Sequence, residues 1–317
     1  MGHQNNILKI GFMNIRGQTG LTSTKQLQIE SFIIREKLDV LNLQEININE
    51  ESFASCNTIS SSFNIISNNA ANKYGTASII KSDFSPSNVV FDTNGRAIIF
   101  DIGSISIGNI YFPSGSDSIS KNARENYSSV TLPQLLLNSQ DSGCIGGDFN
   151  CILNKKNCTY QAVSKMSPSL AKLVNTFNMK DSFRILHPKS STYSYFYHTQ
   201  QQGEGATRID RSYNWGELIV SEARYEPIAF SDHLAYVVSF SLPEPLARIL
   251  SPKCRPLFKI GPAVIKDHIF QERLSESMLD WYEVHELALD IITWWELLVK
   301  PGIRKLAIQR SKEINRE

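Results

Sequence analysis

Short polar motifs stand at the ends of several apolar runs, and this pattern constrains the fold of the chain most strongly. The motifs are MNIRG, LNLQE, GGDFN, RIDR and SDH, and they contribute Asn14, Glu45, Asp148, Asn150, Asp210, Asp232 and His233. Apolar runs bounded by turn residues are typical of buried strands. Because the motifs are spread from residue 14 to residue 233, we expect the fold to assemble them into a single site.

The first half of the chain alternates between strand and helix patterns. A strand is predicted over residues 7–15, and a helix follows in TSTKQLQIESFIIREKL, with Thr24 as its N-cap. Further strands are predicted in DVLNLQE, residues 74–81, NVVF, AIIFDI, SISIGNIYFP and CIGGDFN. The segment NARENYSSVTLPQLLLN has a helical pattern, and Pro133 is expected to kink it.

The second half begins with a short helix in SPSLAKLVNTFNM, for which Ser167 or Ser169 is the candidate cap. TYSYFYH and TRIDRSY are interpreted as the two strands of a hairpin, joined by a polar loop that contains glycine. Many strands follow one another without an intervening helix, unlike the regular alternation of a Rossmann domain. The pattern therefore predicts an α+β fold, a four-layer α/β sandwich of two mixed β-sheets flanked by helices.

The sequence pattern changes after residue 243, from mixed strands and helices to a proline-rich stretch followed by helices. Four prolines fall between residues 243 and 256, which predicts a linker over residues 244–262. Residues 1–243 would then form one domain, and residues 263–317 a helical segment that holds three of the four tryptophans. We expect Pro301-Gly302 to break this helical pattern. The chain ends within a helical pattern and without a cap, as a fragment of a longer protein would.

Composition excludes several classes of protein. The net charge of +1 argues against a binder that depends on a strong electrostatic grip on nucleic acid. No apolar stretch approaches the roughly 18 residues of a membrane span, and the polar start MGHQNN does not resemble a signal peptide. Five cysteines without a CxxC pair predict reduced, mostly buried thiols and an intracellular protein.

The polar residues of the motifs suit the hydrolysis of a phosphodiester. Glu45 and Asp232 are hard oxygen ligands for Mg²⁺. His233 could accept a proton or donate to a phosphate oxygen, and Asp210 is the candidate to orient it.

Three more motif residues complete this interpretation. Asp148 and Asn150 lie two positions apart on a segment predicted to be extended, so their side chains would share one face and hold water and phosphate. Asn14 could orient the groups that bind metal or transfer the proton.

The motifs MNIRG, LNLQE, NIYFPS, GGDFN, RIDR and SDH resemble those of the endonuclease/exonuclease/phosphatase superfamily. Within it the chain is most similar to the apurinic-type endonuclease domain of non-LTR (LINE-type) retrotransposons, through NMKDSFRILHPKSSTYSYFYH, RIDR and EPIAFSDHLAYVVSF. The tail, with RPLFKI and WWELLVKPGIRKL, resembles the region that joins this nuclease to reverse transcriptase.

The resemblance implies a role for each matched residue. Catalytic roles fall to Asp148, Asn150, Asp210, His233, Tyr111 and Asn14, metal binding to Glu45 and Asp232, and contacts with DNA or phosphate to Arg16, Ser194, Thr207 and Ser114. The proton acceptor is either His233 or Asp148. Two residues depart from the pattern, since repair-type members carry aspartate where this chain has Arg16, and many members carry asparagine where it has Ser114.

The resemblance also implies a reaction. The chain would be a Mg²⁺-dependent endonuclease, with Mn²⁺ able to substitute, that nicks one strand of double-stranded DNA. The 3′-hydroxyl would prime reverse transcription in the nucleus by a reverse transcriptase domain of the same polyprotein. The alternatives are a stand-alone apurinic repair endonuclease, a small-molecule phosphodiesterase or phosphatase of the same fold, and a non-catalytic module that binds DNA or protein.

Overall fold

The computed structural model describes residues 7–17, 23–46, 63–70, 74–159, 165–199, 203–243, 260–285 and 291–314. Its strands are β1 (Ile7–Asn14), β2 (Val40–Gln44), β3 (Phe63–Ala70), β4 (Tyr74–Lys81), β5 (Pro86–Phe91), β6 (Ala97–Ile102), β7 (Ile105–Tyr111), β8 (Ser142–Asp148), β9 (Lys180–Asp181), β10 (Tyr195–Thr199), β11 (Gly203–Thr207), β12 (Asp210–Trp215), β13 (Ile219–Glu226) and β14 (Ala235–Ser241). The helices up to residue 243 are α1 (Ser23–Glu36), α2 (Ser118–Asn126), α3 (Leu132–Leu136), α4 (Pro168–Thr176) and α5 (Ser182–Leu186).

Two six-stranded sheets form the centre of the fold. The first has the order β13-β14-β1-β2-β4-β3 and the second the order β5-β6-β7-β8-β12-β9. Each sheet contains one parallel pair, β1 with β2 and β7 with β8, among antiparallel neighbours. Both sheets are therefore mixed, as predicted.

Three hydrophobic clusters separate four layers. The sheets face each other across a core that includes Phe12, Phe100 and Tyr236. Helix α1 covers the outer face of the first sheet with its apolar side, including Phe32. Helices α3 and α4 cover the outer face of the second sheet, where Leu132 and Leu170 pack. This arrangement confirms the predicted four-layer α/β sandwich.

The predicted hairpin is wrong in its pairing. TYSYFYH pairs through β10 with β11, which comes from the segment taken as a loop, and these strands form a separate two-stranded sheet. The RIDRSY segment forms β12, which lies between β8 and β9 in the second sheet. Residues 210–214 are buried, and a strand buried in this way needs a neighbour on both edges, which a two-stranded hairpin does not supply.

Two local expectations about helices need correction, while one of the two candidate caps of α4 is confirmed. Helix α1 begins at Ser23, so Thr24 lies inside it and is not the N-cap. The helix predicted around Pro133 starts earlier, at Ser118, and a π-helical turn at Tyr127–Thr131 precedes Pro133, which lies in the first turn of α3. Proline is tolerated in a first turn because its missing N–H would be unpaired there anyway. Ser167 is the cap of α4, accepting from Leu170 N at 3.2 Å.

Beyond residue 259 the described residues are helical. They form α6 (Pro262–Ile265), α7 (His268–Glu283), α8 (Ile291–Trp294), a π-helical turn (Trp295–Val299) and α9 (Lys300–Ile314). Pro301-Gly302 does not break the pattern, because both residues lie in the first turn of α9. Residues 244–259 of the proposed linker lie outside the described residues, and the domain boundaries stay a prediction.

Helices α7 and α9 are joined by ion pairs, since Arg310 pairs with Asp267 at 2.9 Å and Arg273 with Glu313 at 3.0 Å. Cys144, Cys151 and Cys158 are buried free thiols, as predicted, while the other two cysteines lie outside the described residues. Within the described part of the chain, no helix has the length and apolar character needed to cross a membrane.

Gly146 sets the distance between the two sheets at β8. A Cβ at this position would lie 2.5–2.8 Å from ring atoms of Phe12 in β1, so the strands approach more closely than a larger residue permits. We expect Gly146→Ala to lower the free energy of unfolding by about 1–3 kcal/mol, the usual range for overpacking a core. Urea denaturation measures this change.

The control for this prediction is the double variant Gly146→Ala with Phe12→Leu. Leucine at position 12 leaves space for the added methyl group. The double variant should therefore lose less stability than the sum of the losses of the two single variants. Additive losses would mean that the Phe12 ring does not set this distance.

Candidate active site

The polar motifs meet at one edge of the sandwich. Asn14, Tyr111 and Asp148 are the last residues of β1, β7 and β8, and Glu45 directly follows β2. These are the four strands of the two parallel pairs, and their carboxyl ends therefore lie together. The amino-terminal ends of two antiparallel strands, β12 and β14, close the same edge. Asp210, the first residue of β12, lies opposite Asp148 of β8.

Asn14 connects the two sheets at the bottom of this site. Its Nδ2 donates to Glu45 Oε1 and to Asp148 Oδ2, both at 3.1 Å. The Tyr111 hydroxyl donates to the same Glu45 oxygen at 3.0 Å. Burial, followed by the charges of Glu45 and Asp148, raises the pKa of Tyr111, so the hydroxyl stays protonated and can donate.

Three site residues have left-handed backbone conformations. Arg16, Glu45 and Asn150 have φ values of 45°, 57° and 50°, which are uncommon for residues other than glycine and often occur at functional sites. The spacing of Asn150 from Asp148 suggested that both lie on an extended strand. The left-handed conformation of Asn150 shows that the strand does not continue to this residue. The turn instead folds it back, and Asn150 N and Nδ2 donate to Asp148 at 2.9 and 3.1 Å.

Gly147 makes this turn possible. Its φ is +133°, and a Cβ there would lie 2.1 Å from the carbonyl oxygen of Ile110 in the neighbouring strand β7. Only glycine combines this conformation with so close an approach. Gly147, the second glycine of GGDFN, therefore positions Asp148 at the end of β8.

Asp210 and His233 form a buried carboxylate–histidine pair. His233 Nδ1 lies 3.1 and 2.9 Å from the two Asp210 carboxylate oxygens. Burial alone would lower the pKa of His233, but the Asp210 carboxylate and the charges of Asp148 and Asp232 raise it. Burial, followed by the charge of Asp210, raises the pKa of Asp148.

Ser194 and Thr207 are buried rather than open to a ligand. The Ser194 hydroxyl accepts from the backbone N–H groups of Ile209 and Asp210, at 3.1 and 3.0 Å. Its role in the structure is thus to position the start of β12. The Thr207 hydroxyl has no hydrogen-bond partner among the described residues and is also buried. Both side chains are buried in this structure, and their contact with DNA or phosphate stays a prediction.

The remaining predicted residues lie at the rim. Arg16 pairs with Asp232 at 3.5 Å, and the Arg16 side chain is 55% exposed. This arginine thus lies beside the carboxylate that is predicted to bind metal together with Glu45. Ser114 is exposed and its side chain hydrogen-bonds to the Tyr111 hydroxyl, which acts to lower the pKa of that tyrosine.

The sequence interpretation missed two supports of the site. Ser231 donates to Asn14 O at 2.8 Å and accepts from His233 N at 3.2 Å, so it ties the SDH motif to the end of β1. Asn109 accepts from Gln44 at 2.7 Å across the two sheets. Its signal was visible in the sequence as an amide within the apolar strand SISIGNIY.

The donor set fits a hard divalent cation. The site contains the carboxylates of Glu45, Asp148, Asp210 and Asp232, and burial, followed by the negative charge of Asp210, raises the pKa of Asp148. Among the described residues, the side chains of Asp148, Asp210 and His233 have potential ligand atoms within 4.8 Å of one another. Glu45 is not in that group, but it is only partly buried and offers carboxylate oxygen, the ligand that Mg²⁺ prefers.

The fold agrees with that of solved nucleases. An AP endonuclease from Archaeoglobus fulgidus superposes with a TM-score of 0.63 at 18% identity, covering 74% of this chain and all of that one. The chain has the AP-endonuclease-type fold. A 3′-5′ exonuclease from Neisseria meningitidis gives a TM-score of 0.62 at 18% identity, covering 74% of this chain and 100% of that one.

An AP endonuclease from Leishmania major is similar to the same degree, with a TM-score of 0.61 at 18% identity, over 75% of this chain and 88% of that one. No family model matches the chain. The structural neighbours are thus members of the AP endonuclease and exonuclease/phosphatase superfamily, and the likeness establishes the fold.

Proposed function

We propose that the chain is a metal-dependent endonuclease that cuts one strand of double-stranded DNA and leaves a 3′-hydroxyl. The observation that carries the proposal is the connected set of side chains at one edge of an AP-endonuclease-type fold. Asn14 joins Glu45 to Asp148, and the buried Asp210–His233 pair lies beside them. This set combines metal-binding oxygen atoms with a group that can move a proton, the two requirements for hydrolysis of a phosphodiester.

His233 and Asp210 would act on the scissile phosphate. Because Asp210 holds Nδ1, the other ring nitrogen remains available to donate to a phosphate oxygen. Asp148 and Asn150, joined at 3.1 Å, would hold the attacking water, and Asp148 would accept its proton. The Tyr111 hydroxyl would donate to a phosphate oxygen once substrate displaces part of its bond to Glu45.

Glu45 and Asp232 would hold the divalent cation, which we propose to be Mg²⁺, with Mn²⁺ able to substitute. When bound, the cation neutralises charge on the phosphate and polarises the bond that breaks. Asn14 keeps the Glu45 carboxylate oriented, and Arg16 pairs with Asp232 at 3.5 Å.

We further propose that this nuclease belongs to a non-LTR retrotransposon and acts in the nucleus. The nick would supply the primer for a reverse transcriptase domain of the same polyprotein, toward which the helical segment after residue 262 would lead. The support is the sequence resemblance of RIDR, EPIAFSDHLAYVVSF and the tryptophan-bearing tail.

An endonuclease for abasic sites is the second candidate. Solved structures of the same fold include AP endonucleases, and one 3′ phosphatase of this fold was captured with a product DNA hairpin. Comparing an intact duplex with one that carries a single abasic site separates the two candidates. Preference for the abasic duplex by more than about 100-fold in kcat/KM, equivalent to roughly 2.7 kcal/mol, would favour the repair activity.

Nicking of supercoiled plasmid tests the proposed function. We expect the chain to convert supercoiled plasmid to the open circle in the presence of Mg²⁺ and to lose this activity in EDTA. Glu45→Gln should slow nicking by about 10²- to 10³-fold, because a metal ligand contributes several kcal/mol to charge stabilisation in the transition state. Resealing of the nicked product by DNA ligase identifies the 3′-hydroxyl, because the ligase joins only a 3′-hydroxyl to a 5′-phosphate.

Glu204→Gln is the matched control. Glu204 is exposed on β11 and lies outside the hydrogen-bonded set, so its variant should nick as fast as the unchanged protein. Equal activity of the Glu45→Gln variant would contradict the proposed site. Absence of nicking, together with DNA binding, would favour the non-catalytic module.

A further inference from the structure

Lys165 lies over an aromatic surface that begins at the catalytic histidine. Its Nζ is 5.7 Å from the ring centroid of Tyr195 and 5.1 Å from that of Tyr197. The two tyrosines alternate along β10 and therefore share one face, with stacked rings whose centroids are 5.8 Å apart. The Tyr195 ring in turn lies 4.6 Å from the ring of His233. Lys165 is thus one aromatic ring away from the candidate proton donor.

The backbone of Lys165 is fixed to the strand end that carries Asp148 and Asn150. Ile152, two residues beyond Asn150, donates its N–H to Lys165 O at 2.7 Å and accepts from Ser167 N at 3.1 Å. Ser167 then caps helix α4. The backbone of Lys165 is consequently held by the segment that continues from the catalytic turn.

The ammonium group lacks a carboxylate partner in the described part of the chain. Lys165 is half-buried, and none of the described carboxylates forms an ion pair with it within 4.0 Å. The ring faces attract the cation, but such contacts contribute only about 0.5–2 kcal/mol and leave the N–H groups able to donate. A half-buried cation of this kind is suited to an anionic ligand.

We propose that Lys165 binds a DNA phosphate, the one adjacent to the phosphate that is cut. The inference rests on the proposed nuclease function and extends it to the path of the substrate strand. His233 would contact the scissile phosphate, and Lys165 and His233 both lie against the Tyr195 ring, at 5.7 and 4.6 Å from its centroid, so we assign Lys165 to the neighbouring phosphate. The strand would therefore run from the carboxylate cluster across the face formed by Tyr195 and Tyr197.

Lys165 would act mainly in binding and not in the chemical step. Each phosphate neutralised by a lysine or arginine releases counterions, so removal of one contact reduces the salt dependence of binding by about 0.9 in the slope of log K against log salt. In a chain with a net charge of only +1, a single well-positioned lysine should carry a measurable share of DNA affinity. A lysine that merely offsets the charge of Asp148 would affect the rate of cleavage instead.

Binding of a labelled duplex oligonucleotide at several salt concentrations tests the proposal. The measurement uses the His233→Ala background with Mg²⁺, so that the duplex is not consumed. Lys165→Gln should weaken binding by about tenfold and lower the salt slope by about 0.9, while Lys165→Arg should retain most of the slope. Lys172→Gln removes the same charge from an exposed position on α4 and should leave both quantities unchanged.

The same lysine variants are then made in the protein that retains His233, and their rates of nicking separate the possible outcomes. At saturating plasmid, Lys165→Gln should nick within a few-fold of the unchanged rate. A salt slope equal to that of Lys172→Gln, or a loss of rate at saturation with unchanged binding, would overturn the inference while the nuclease function stands. If the unchanged protein neither binds nor nicks DNA, the proposed function fails and the inference fails with it.

Discussion

Asp210→Asn is expected to slow nicking by about 10²- to 10⁴-fold, the range for loss of general acid–base catalysis. The Asp210 carboxylate lies within 3.1 Å of His233 Nδ1 through both of its oxygens, and both side chains are buried. Asparagine is similar in shape but neutral, so it neither stabilises the protonated imidazole nor selects its orientation. Single-turnover nicking of supercoiled plasmid in Mg²⁺ measures the effect.

Asp101→Asn is the matched control for this prediction. Asp101 is also a buried carboxylate, hydrogen-bonded to Ser106 at 2.6 Å. It lies near the end of β6, which runs antiparallel to β7, so it is at the opposite edge of the sandwich from Tyr111. Its variant should nick at nearly the unchanged rate at 25 °C. A fully active Asp210→Asn protein would exclude the carboxylate–histidine pair from the chemistry.

Arg208→Met is expected to lower the free energy of unfolding by about 3–5 kcal/mol, the usual effect of breaking a buried ion pair. Arg208 is 1% exposed and donates from Nη1 to Asp181 at 3.1 Å and from Nε to Asn157 at 3.3 Å. Methionine fills most of the space but leaves the Asp181 carboxylate without its partner. Urea denaturation, followed by circular dichroism, gives the change in stability.

Two further variants test the cause of this loss. Asp181→Asn keeps an oxygen that can cap α5, and in combination with Arg208→Met it should cost less than the sum of the single changes. Arg35→Met removes a half-exposed arginine that pairs with Glu36 at 2.9 Å and should change stability by less than about 1 kcal/mol. Equal losses for Arg208→Met and Arg35→Met would show that burial of the Arg208 pair is unimportant.

The Arg208 pair also bears on the site. Arg208 precedes Ile209 and Asp210, and its backbone N–H donates to Asn157 O at 2.8 Å. Together with the Ser194 hydroxyl, which accepts from the N–H of Asp210, this contact determines where β12 begins. Stability and catalysis are therefore coupled at this strand end, and the Arg208→Met protein should also lose activity at temperatures well below its unfolding transition.

Most of the site was predictable because strand ends are local features. An apolar run followed by a polar residue marks where burial stops, and this signal identified Asn14, Glu45 and Asp148, whereas Tyr111 was identified only through the family resemblance. The mixed sandwich was predictable for a similar reason, since strands that follow one another directly favour packed sheets over alternating units.

Other features depended on contacts between distant segments. The sequence of β11 is polar and contains glycine, as is typical of a loop. It forms a strand because it pairs with β10. The role of Ser194 depends on its distance from Ile209 and Asp210, which no local pattern encodes. Asn150 reaches Asp148 through a left-handed turn, although its spacing suggested an extended strand.

The sequence by itself determined the layers of this protein and the identity of its reactive groups, because both follow from which residues avoid water and which remain polar at strand ends. The tertiary structure alone decided how those groups are paired. It joined Asp210 to His233 and Arg16 to Asp232, and it brought Lys165 over Tyr195 and Tyr197. These pairings depend on distances of a few ångströms between segments of the folded chain, and electrostatic and hydrogen-bond energies change steeply over such distances.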